Sequence, residues 1–326
     1  MRTGTSVALL VLTLTLPGRA RELTFFEAVE AHMGTLMRIQ LYAPDAAVAR
    51  TALRAAFDRI AVLDAELSDY QPGSELSALS RAAVRHPVRL SDDLYRVLAA
   101  SQQISEDTGG AFDITLGPLT HLWRTARKSG HVPEAEALRE ALSHCGYGKL
   151  HLQASDRTAW LDEAGMQLDA GGIAKGFAAD EALAVLGSLG VHSALVAASG
   201  DLAFSDAPPG AAGWKIGIGG GAFVVRSNGA VSTSGAAEQH LDAGATRYSH
   251  ILDSRTGLGL THALTVTVTG RHGLRTDAAS TAISVLGAPR GLAWVERQPD
   301  LAARVTESDG PARTSSCFGE VQRSMP

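Results

Sequence analysis

Three groups of residues in this chain have the types and spacing of groups that do chemistry. In Leu168-Asp169-Ala170-Gly171-Gly172-Ile173-Ala174-Lys175-Gly176, a carboxylate, a glycine pair and a lysine stand at what reads as the entrance to a helix. Glycines there let backbone approach a ligand, and a helix start offers free N–H groups to a phosphate. The spacing fits neither the Gly-x-x-x-x-Gly-Lys-Ser/Thr of a P-loop nor the Gly-x-Gly-x-x-Gly of a dinucleotide fold. It therefore reads either as a tight packing turn or as a phosphate and metal loop of another kind. Asp277 and Thr281 lie four residues apart, which on a helix puts both on one face. A carboxylate and a hydroxyl are hard oxygen donors suited to Mg²⁺ or Ca²⁺; the bland reading is a helix cap and a packing hydroxyl. His250 sits in Arg247-Tyr248-Ser249-His250-Ile251-Leu252-Asp253-Ser254-Arg255-Thr256-Gly257, dense in polar groups before a strand. It is a candidate general base.

Weaker candidates surround these. Thr108-Gly109-Gly110-Ala111-Phe112-Asp113-Ile114-Thr115 could hold a ring system against backbone, with Asp113 accepting a ligand N–H, or could be a helix end and a turn. Ser68-Asp69-Tyr70-Gln71-Pro72-Gly73-Ser74-Glu75-Leu76-Ser77 offers Tyr70 to stack on a planar ligand. Met33, in His32-Met33-Gly34-Thr35, reads as core as readily as ligand contact. Ser199-Gly200-Asp201 and Ser232-Thr233-Ser234-Gly235 say little alone. The chain holds no His-Glu-x-x-His, no Gly-x-Ser-x-Gly elbow and no cysteine set up as a nucleophile.

The elements that must position these residues are legible in part. Apolar periodicity predicts helices over 46–67, 91–107 and 133–145, the second with Ser91 as N-cap and Asp92 and Asp93 in its first turn. The glycine loop continues as a helix from Ile173 to Leu189 with Gly190 as its stop, and a last helix runs from Asp277 to Leu286, ending at Gly287. Strands are expected at 37–41, 194–198, 214–218, 222–226 and 264–269, with turns at Ser227-Asn228-Gly229 (a hairpin) and Asp309-Gly310. Helices and strands mix without a βαβ rhythm, which favours α+β over a doubly wound parallel sheet.

Composition narrows the partners. A net charge of −5 without a basic stripe excludes a nucleic-acid footprint. Arg2 followed by the apolar run Ser6–Leu16 and small residues before Ala20 reads as a cleavable signal peptide over 1–20. The run is too short for a membrane anchor, and no cysteine follows it, so a periplasmic protein without lipid modification is expected. Cys145 and Cys317 are too far apart in sequence for a metal knuckle or redox pair; they could pair, or be two free thiols.

Taken in order, the motif segments resemble the ApbE family, periplasmic FAD:protein FMN transferases. The resemblance runs from Met33-Gly34-Thr35 to the Asp277 helix. It is carried by Asp69-Tyr70-x-Pro72-x-Ser74-Glu75-Leu76-Ser77, Gly110-Ala111-Phe112-Asp113-Ile114-Thr115, Asp169-x-Gly171-Gly172-Ile173-Ala174-Lys175-Gly176, Thr233-Ser234-Gly235 and Ser249-His250-Ile251-x-Asp253-x-Arg255-Thr256-Gly257. It implies one large two-lobed α+β domain of mixed helices and largely antiparallel sheets over 21–318; the residues after Phe318, 319–326, read from the sequence as a frayed tail. It implies FAD as substrate and Mg²⁺ as cofactor. FMN would be attached through a phosphoester to a Thr or Ser of an acceptor flavoprotein, with release of AMP.

Carried onto this sequence, the resemblance assigns metal ligation to the side chains of Asp277 and Thr281 and to backbone oxygens of Gly172 and Ser280. It assigns flavin contacts to Met33, Tyr70, Ala111, Phe112, Asp113, Asp169, Lys175 and Ile251, and makes His250 the base for the acceptor hydroxyl. Asp169 and Lys175 are then expected to face the nucleotide rather than the metal. Consistent acceptors are subunits of Nqr-type or Rnf-type membrane redox complexes, or a flavoprotein of nitrous-oxide respiration. A Mg²⁺-dependent FAD pyrophosphatase giving FMN and AMP is the alternative, and a non-catalytic flavin-binding protein is a second. Four positions depart from the family pattern. Ser254 replaces a common proline, Ser280 an alanine, Ser199 a frequent glycine, and Ala236-Ala237-Glu238 an acidic-aromatic pair. Ser254 is expected to loosen its loop.

Overall fold

The Met33-Gly34 pair turns the chain back on itself. Both residues have positive φ (50° and 71°), the backbone of a two-residue hairpin turn. Strands β1 (Thr24–His32) and β2 (Thr35–Ala43) therefore pair antiparallel along their whole length. Asp45 then caps α1 (Ala46–Leu67) by accepting the N–H groups of Ala47 and Val48. The computed structural model describes residues 22–218, 222–235, 240–307, 310–319 and 322–323. The expected leader, Ala236-Ala237-Glu238 and Asp309 of the expected late turn lie outside the described residues.

Helix α2 (Glu75–Ala82) starts at Ser74, whose hydroxyl accepts the Ser77 N–H. Next come β3 (Val88–Arg89) and α3 (Asp92–Thr108), the latter capped by Ser91 and stopped by Gly109 in the left-handed conformation. Helices α4 (Gly117–Ser129) and α5 (Ala135–Ser143) follow, then the hairpin β4 (Leu150–Gln153) and β5 (Thr158–Leu161). Helix α6 (Ala174–Ser188) leads into β6 (Ala194–Ala198) and β7 (Asp201–Phe204). The strands β8 (Trp214–Gly217), β9 (Ala222–Arg226), β10 (Gly229–Gly235), β11 (His240–Ala243), β12 (Thr246–Ser249) and β13 (Leu264–Gly270) precede α7 (Gly273–Val295). β14 (Leu301–Glu307), β15 (Arg313–Thr314) and β16 (Gln322–Arg323) complete the order.

An eight-stranded sheet, β1-β2-β6-β7-β10-β13-β14-β15, forms the frame, and all its pairings are antiparallel. Alternation along its strands feeds two cores. Val196, Ala203 and Ala230 face the main core with α1, α3 and α6, whereas Leu195, Phe204 and Val231 face a second core. That second core holds Trp214, Ile216, Val224 and Phe318 and is covered by the small sheet β16-β9-β8. A satellite core of Leu119, Trp123, Leu241 and Leu252 joins α4 and α5 to the β11-β12 hairpin. The α+β class with antiparallel sheets is thus the observed one.

Several expectations change. Ser227-Asn228-Gly229 is no hairpin: β9 pairs with β8, and β10 pairs with β7 and β13, so the turn passes the chain from one sheet to another. The last helix begins at Gly273 and resumes past a kink at Gly287, where φ is 75°. Pro289 beyond it lacks an N–H to donate back, so the expected stop is real but followed by another helical stretch. Part of the expected frayed tail forms β16. Cys145 is buried and Cys317 exposed, and both are free thiols.

Candidate active site

Helices α6 and α7 cross so closely that no side chain fits between them at the crossing. A Cβ on Gly176 would lie 2.0 Å from the Gly273 carbonyl oxygen, and one on Gly273 would lie 2.4 Å from the Gly176 oxygen. The contact is fixed by Asp180 of α6, whose two carboxylate oxygens accept the N–H groups of Gly273 and Leu274 and so cap α7 from a neighbouring helix. It also sets the geometry of Asp277, one turn along α7. The Gly176 N–H, one of the unpaired donors of the first turn of α6, donates to Asp277 Oδ2 at 3.1 Å. The helix start that could have bound a phosphate spends this donor on a protein carboxylate.

Lys175 completes a buried charge cluster. Its Nζ lies 3.2 Å from Asp201 Oδ2 and 3.7 Å from Asp277 Oδ2, and donates to the Gly171 carbonyl at 2.9 Å. Lys175 thus turns toward Asp201 and Asp277, on the side of the proposed metal donors, where the sequence placed it facing the nucleotide. Asp201 and Asp277 are both buried, at 5% and 3% exposure, so two buried carboxylates share the one ammonium of Lys175, whose side chain is partly exposed. Burial, then the nearby Asp201, pushes the Asp277 carboxyl up to about 7, against the pull of Lys175. The same two carboxylates raise the Lys175 ammonium above its ordinary range despite its own burial.

The other expected metal donors gather here. A Cβ on Gly172 would sit 3.2 Å from Thr281 Oγ1 and 3.2 Å from the Phe112 ring, so the glycine loop, α7 and the Phe112 segment meet at one point. Ser280 is held from two sides, donating to the Asp277 carbonyl at 2.8 Å and sharing a 2.6 Å hydroxyl contact with Ser234 of β10. Among the described residues no three His, Cys, Asp or Glu side chains converge as a metal cage. The donor set that does converge, one carboxylate, one hydroxyl and carbonyls, suits Mg²⁺, which keeps several waters and takes substrate phosphates as ligands. The surplus of buried negative charge over the Lys175 ammonium is the feature a divalent cation would relieve. The residues fit the ion.

A second group of site residues surrounds α4. The Tyr70 ring is 72% exposed, with the Arg124 guanidinium 4.0 Å above its centroid. Arg124 also donates to Asp69 and, at 3.2 Å, to Asp169 Oδ2. Asp169 Oδ1 accepts the Gly171 N–H at 2.7 Å. Met33 is held by its N–H on Asp64 of α1. Asp113 is buried, and three protein donors occupy it: the Thr115 N–H and hydroxyl and the Tyr147 N–H. Burial raises its carboxyl above the ordinary range, and its visible work is to fix the turn before β4.

His250 is exposed at the end of β12. The loop after it is clamped at several points. Gly257 accepts the Trp123 indole N–H at 2.8 Å, Asp253 takes two bonds from the Arg255 side chain, and the Ser254 hydroxyl donates to the Gly110 carbonyl at 2.5 Å. Ser254 therefore ties its loop to the Gly110-Ala111-Phe112 segment where loosening was expected. Ile251 packs with Ala111, Leu260 and Val285. Ser199 adopts φ 56°, a conformation that glycine takes without penalty. Arg124, Asp180 and Trp123 were not singled out from the sequence, and Asp201 was noted only within an uninformative turn segment.

With this geometry described, comparison with known proteins is decisive. A family profile described as the ApbE family matches residues 33–305. The chain belongs to the ApbE family. A relative named FAD:protein FMN transferase from Treponema pallidum is 34% identical over 97% of this chain and 93% of its own length. One of the same name from Klebsiella pneumoniae is 28% identical over 83% and 85%. Among solved structures, the apo flavinyl transferase ApbE of Pseudomonas stutzeri superposes with a TM-score of 0.80 at 29% identity, covering 92% of this chain and 97% of that one. The ApbE protein of Thermotoga maritima gives 0.81 at 27% identity, over 90% and 98%. This ApbE-family chain is an enzyme of the transferase class.

Proposed function

We propose that this chain is a Mg²⁺-dependent FAD:protein FMN transferase that joins FMN through a phosphoester to a Ser or Thr of an acceptor flavoprotein and releases AMP. The observation that carries the reading is the surplus of buried carboxylate at the α6–α7 crossing, where Asp201 and Asp277 face the single ammonium of Lys175. Asp277, Thr281 and the carbonyls of Gly172 and Ser280 would hold the ion. When bound, it neutralises charge developing on phosphoryl oxygens.

The remaining work falls to the chain's own side chains. Lys175 keeps the two carboxylates together and places a positive charge beside the nucleotide phosphates. Tyr70 offers an open ring face to the isoalloxazine, and Ala111, Phe112 and Ile251 supply an apolar wall. Asp169 and Met33 close the flavin contacts. His250, exposed on a clamped loop, takes the proton of the acceptor hydroxyl as its oxygen bonds to the FMN phosphorus. The pyrophosphate bridge breaks and AMP departs. Such proton transfer contributes about 10²–10⁴-fold.

The apolar run at 6–16 supports action outside the cytoplasm after export. Among the described residues no helix is long and apolar enough to cross a membrane. The acceptor is proposed to be a flavoprotein subunit of an Nqr-type or Rnf-type membrane redox complex, or a flavoprotein of nitrous-oxide respiration. Purified protein incubated with FAD, Mg²⁺ and such an acceptor domain is expected to add one FMN mass to the acceptor. Free FMN and AMP with an unmodified acceptor would select the pyrophosphatase instead.

A further inference from the structure

Helix α4 carries two neighbouring side chains that reach different parts of the site. Trp123 points inward and holds Gly257 in the His250 loop. Arg124, one residue on and about 100° around the helix, points to the entrance. Its side chain is 17% exposed, and its carboxylate partners Asp69 and Asp169 are 9% and 11% exposed. Those partners come from separate segments, one beside Tyr70 after α1 and one opening the glycine loop. The guanidinium carbon lies 4.0 Å over one face of Tyr70, which leaves the opposite face of an exposed ring for a planar ligand.

We infer that Arg124 is a positioning residue for the flavin, spanning the site entrance to set Tyr70 and Asp169 against each other before the nucleotide arrives. The inference rests on the reading of Tyr70 and Asp169 as flavin contacts. Three features separate this role from that of a phosphate ligand or an incidental ion pair. Both arms of the guanidinium already serve protein carboxylates, so it does not itself wait for phosphate. A planar, forked cation can bridge two carboxylates and stack on a ring at once, which an ammonium cannot. The pairs are mostly shielded from solvent, where charge-assisted hydrogen bonds hold their strength. Burial, then the neighbouring Asp169, raises the Asp69 carboxyl above its ordinary range, against the pull of Arg124 and His121, so the bridge holds together two carboxylates that repel each other.

The test uses the full-length protein with FAD and Mg²⁺. FAD affinity is read from flavin fluorescence, turnover from kcat and KM, and folding from the melting temperature. Arg124→Ala is expected to weaken FAD binding and raise KM about ten-fold, the loss expected of a charge-assisted pair, with a smaller change in kcat. Arg124→Lys is expected to restore only part of this. In a Tyr70→Ala background, Arg124→Ala is expected to add little, because the arginine acts through that ring. An unchanged KM in Arg124→Ala, a loss confined to kcat, or full additivity with Tyr70→Ala would each overturn the inference. Should Arg124→Ala unfold, Asp69→Asn replaces it, which removes one arm of the bridge and must still raise KM more than kcat falls. If the wild-type protein neither binds nor turns over FAD, the proposed function fails as well; if it does both and only the variants behave as wild type, this inference alone fails.

Discussion

The α6–α7 crossing and the α4 face position site residues by opposite means. At the crossing, atoms are removed: Gly176 and Gly273 bring two backbones into contact, and the buried carboxylates of Asp201 and Asp277 close on Lys175. Around α4, long side chains reach to separate loops. Trp123 from within the satellite core and Arg124 nearer the surface hold three loops by hydrogen bonds and ion pairs. The first arrangement is rigid and electrostatically unbalanced, which suits charge stabilisation on phosphoryl groups. The second can be changed one bond at a time, which suits reading a ligand's shape. The difference predicts that substitutions at the crossing are severe and those around α4 graded.

The largest effect expected is in Asp277→Ala, which removes the only carboxylate among the proposed metal donors. Turnover should fall by about 10³-fold, in the range for loss of a charge clamp on a transferring phosphoryl group; activity near wild type would remove Asp277 from the chemistry. Next comes Gly176→Ala. Its new methyl would meet the Gly273 carbonyl, and overpacking of this kind costs about 3 kcal/mol or more, read as a lower denaturant midpoint with an unchanged slope. A loss under about 0.5 kcal/mol, no more than an ordinary surface substitution, would mean the crossing yields easily and the contrast is false. Trp123→Phe should be milder, about 1 kcal/mol for one hydrogen bond. It is expected to slow transfer through the His250 loop while FAD affinity stays put; a loss of affinity instead would place Trp123 with the flavin contacts.

The smallest effect concerns the thiols. Burial, with Asp113 nearby, pushes the Cys145 thiol up to about 12. The folded pKa lies above that of the unfolded thiol, so the folded state favours the protonated form. The stability this brings is complete below the ordinary thiol pKa and fades as pH rises from there toward about 12. Iodoacetamide at pH 8 should therefore modify the exposed Cys317 and leave Cys145 untouched until the protein unfolds. Equal labelling of both in the native state would show the satellite core beneath α4 to be open.

The same contrast marks what was legible in the sequence. Local signals carried far: α1, β6 and β9 span the expected residues, and Ser91 and Gly190 act where a cap and a stop were read. The glycine loop and the Asp277 helix were found because their residues lie close together in sequence. Helix α4 was missed because Leu116 at its start offers no capping side chain; Pro118 in its first turn, followed by the inward spacing of Leu119, Trp123 and Ala126, was the available signal. Helix α2 hid behind a turn-rich segment although Ser74 caps it. Asp201, Asp180 and Arg124 were beyond reach for a different reason. Each acts on a segment distant in sequence, and a carboxylate that caps another helix or shares another carboxylate's lysine looks like any other carboxylate. Lys175 was placed facing the nucleotide because its carboxylate partners Asp201 and Asp277 lie far from it in sequence.

The central claim is that the buried cluster at the crossing holds one divalent cation on which transfer depends. Metal-stripped protein titrated with Mn²⁺ by calorimetry, then assayed for flavin transfer with FAD and acceptor, tests it most directly. The account predicts one ion per wild-type chain, transfer that appears in step with its binding, and neither in Asp277→Ala. Full transfer by metal-free protein, or undiminished Mn²⁺ binding by Asp277→Ala, would contradict it.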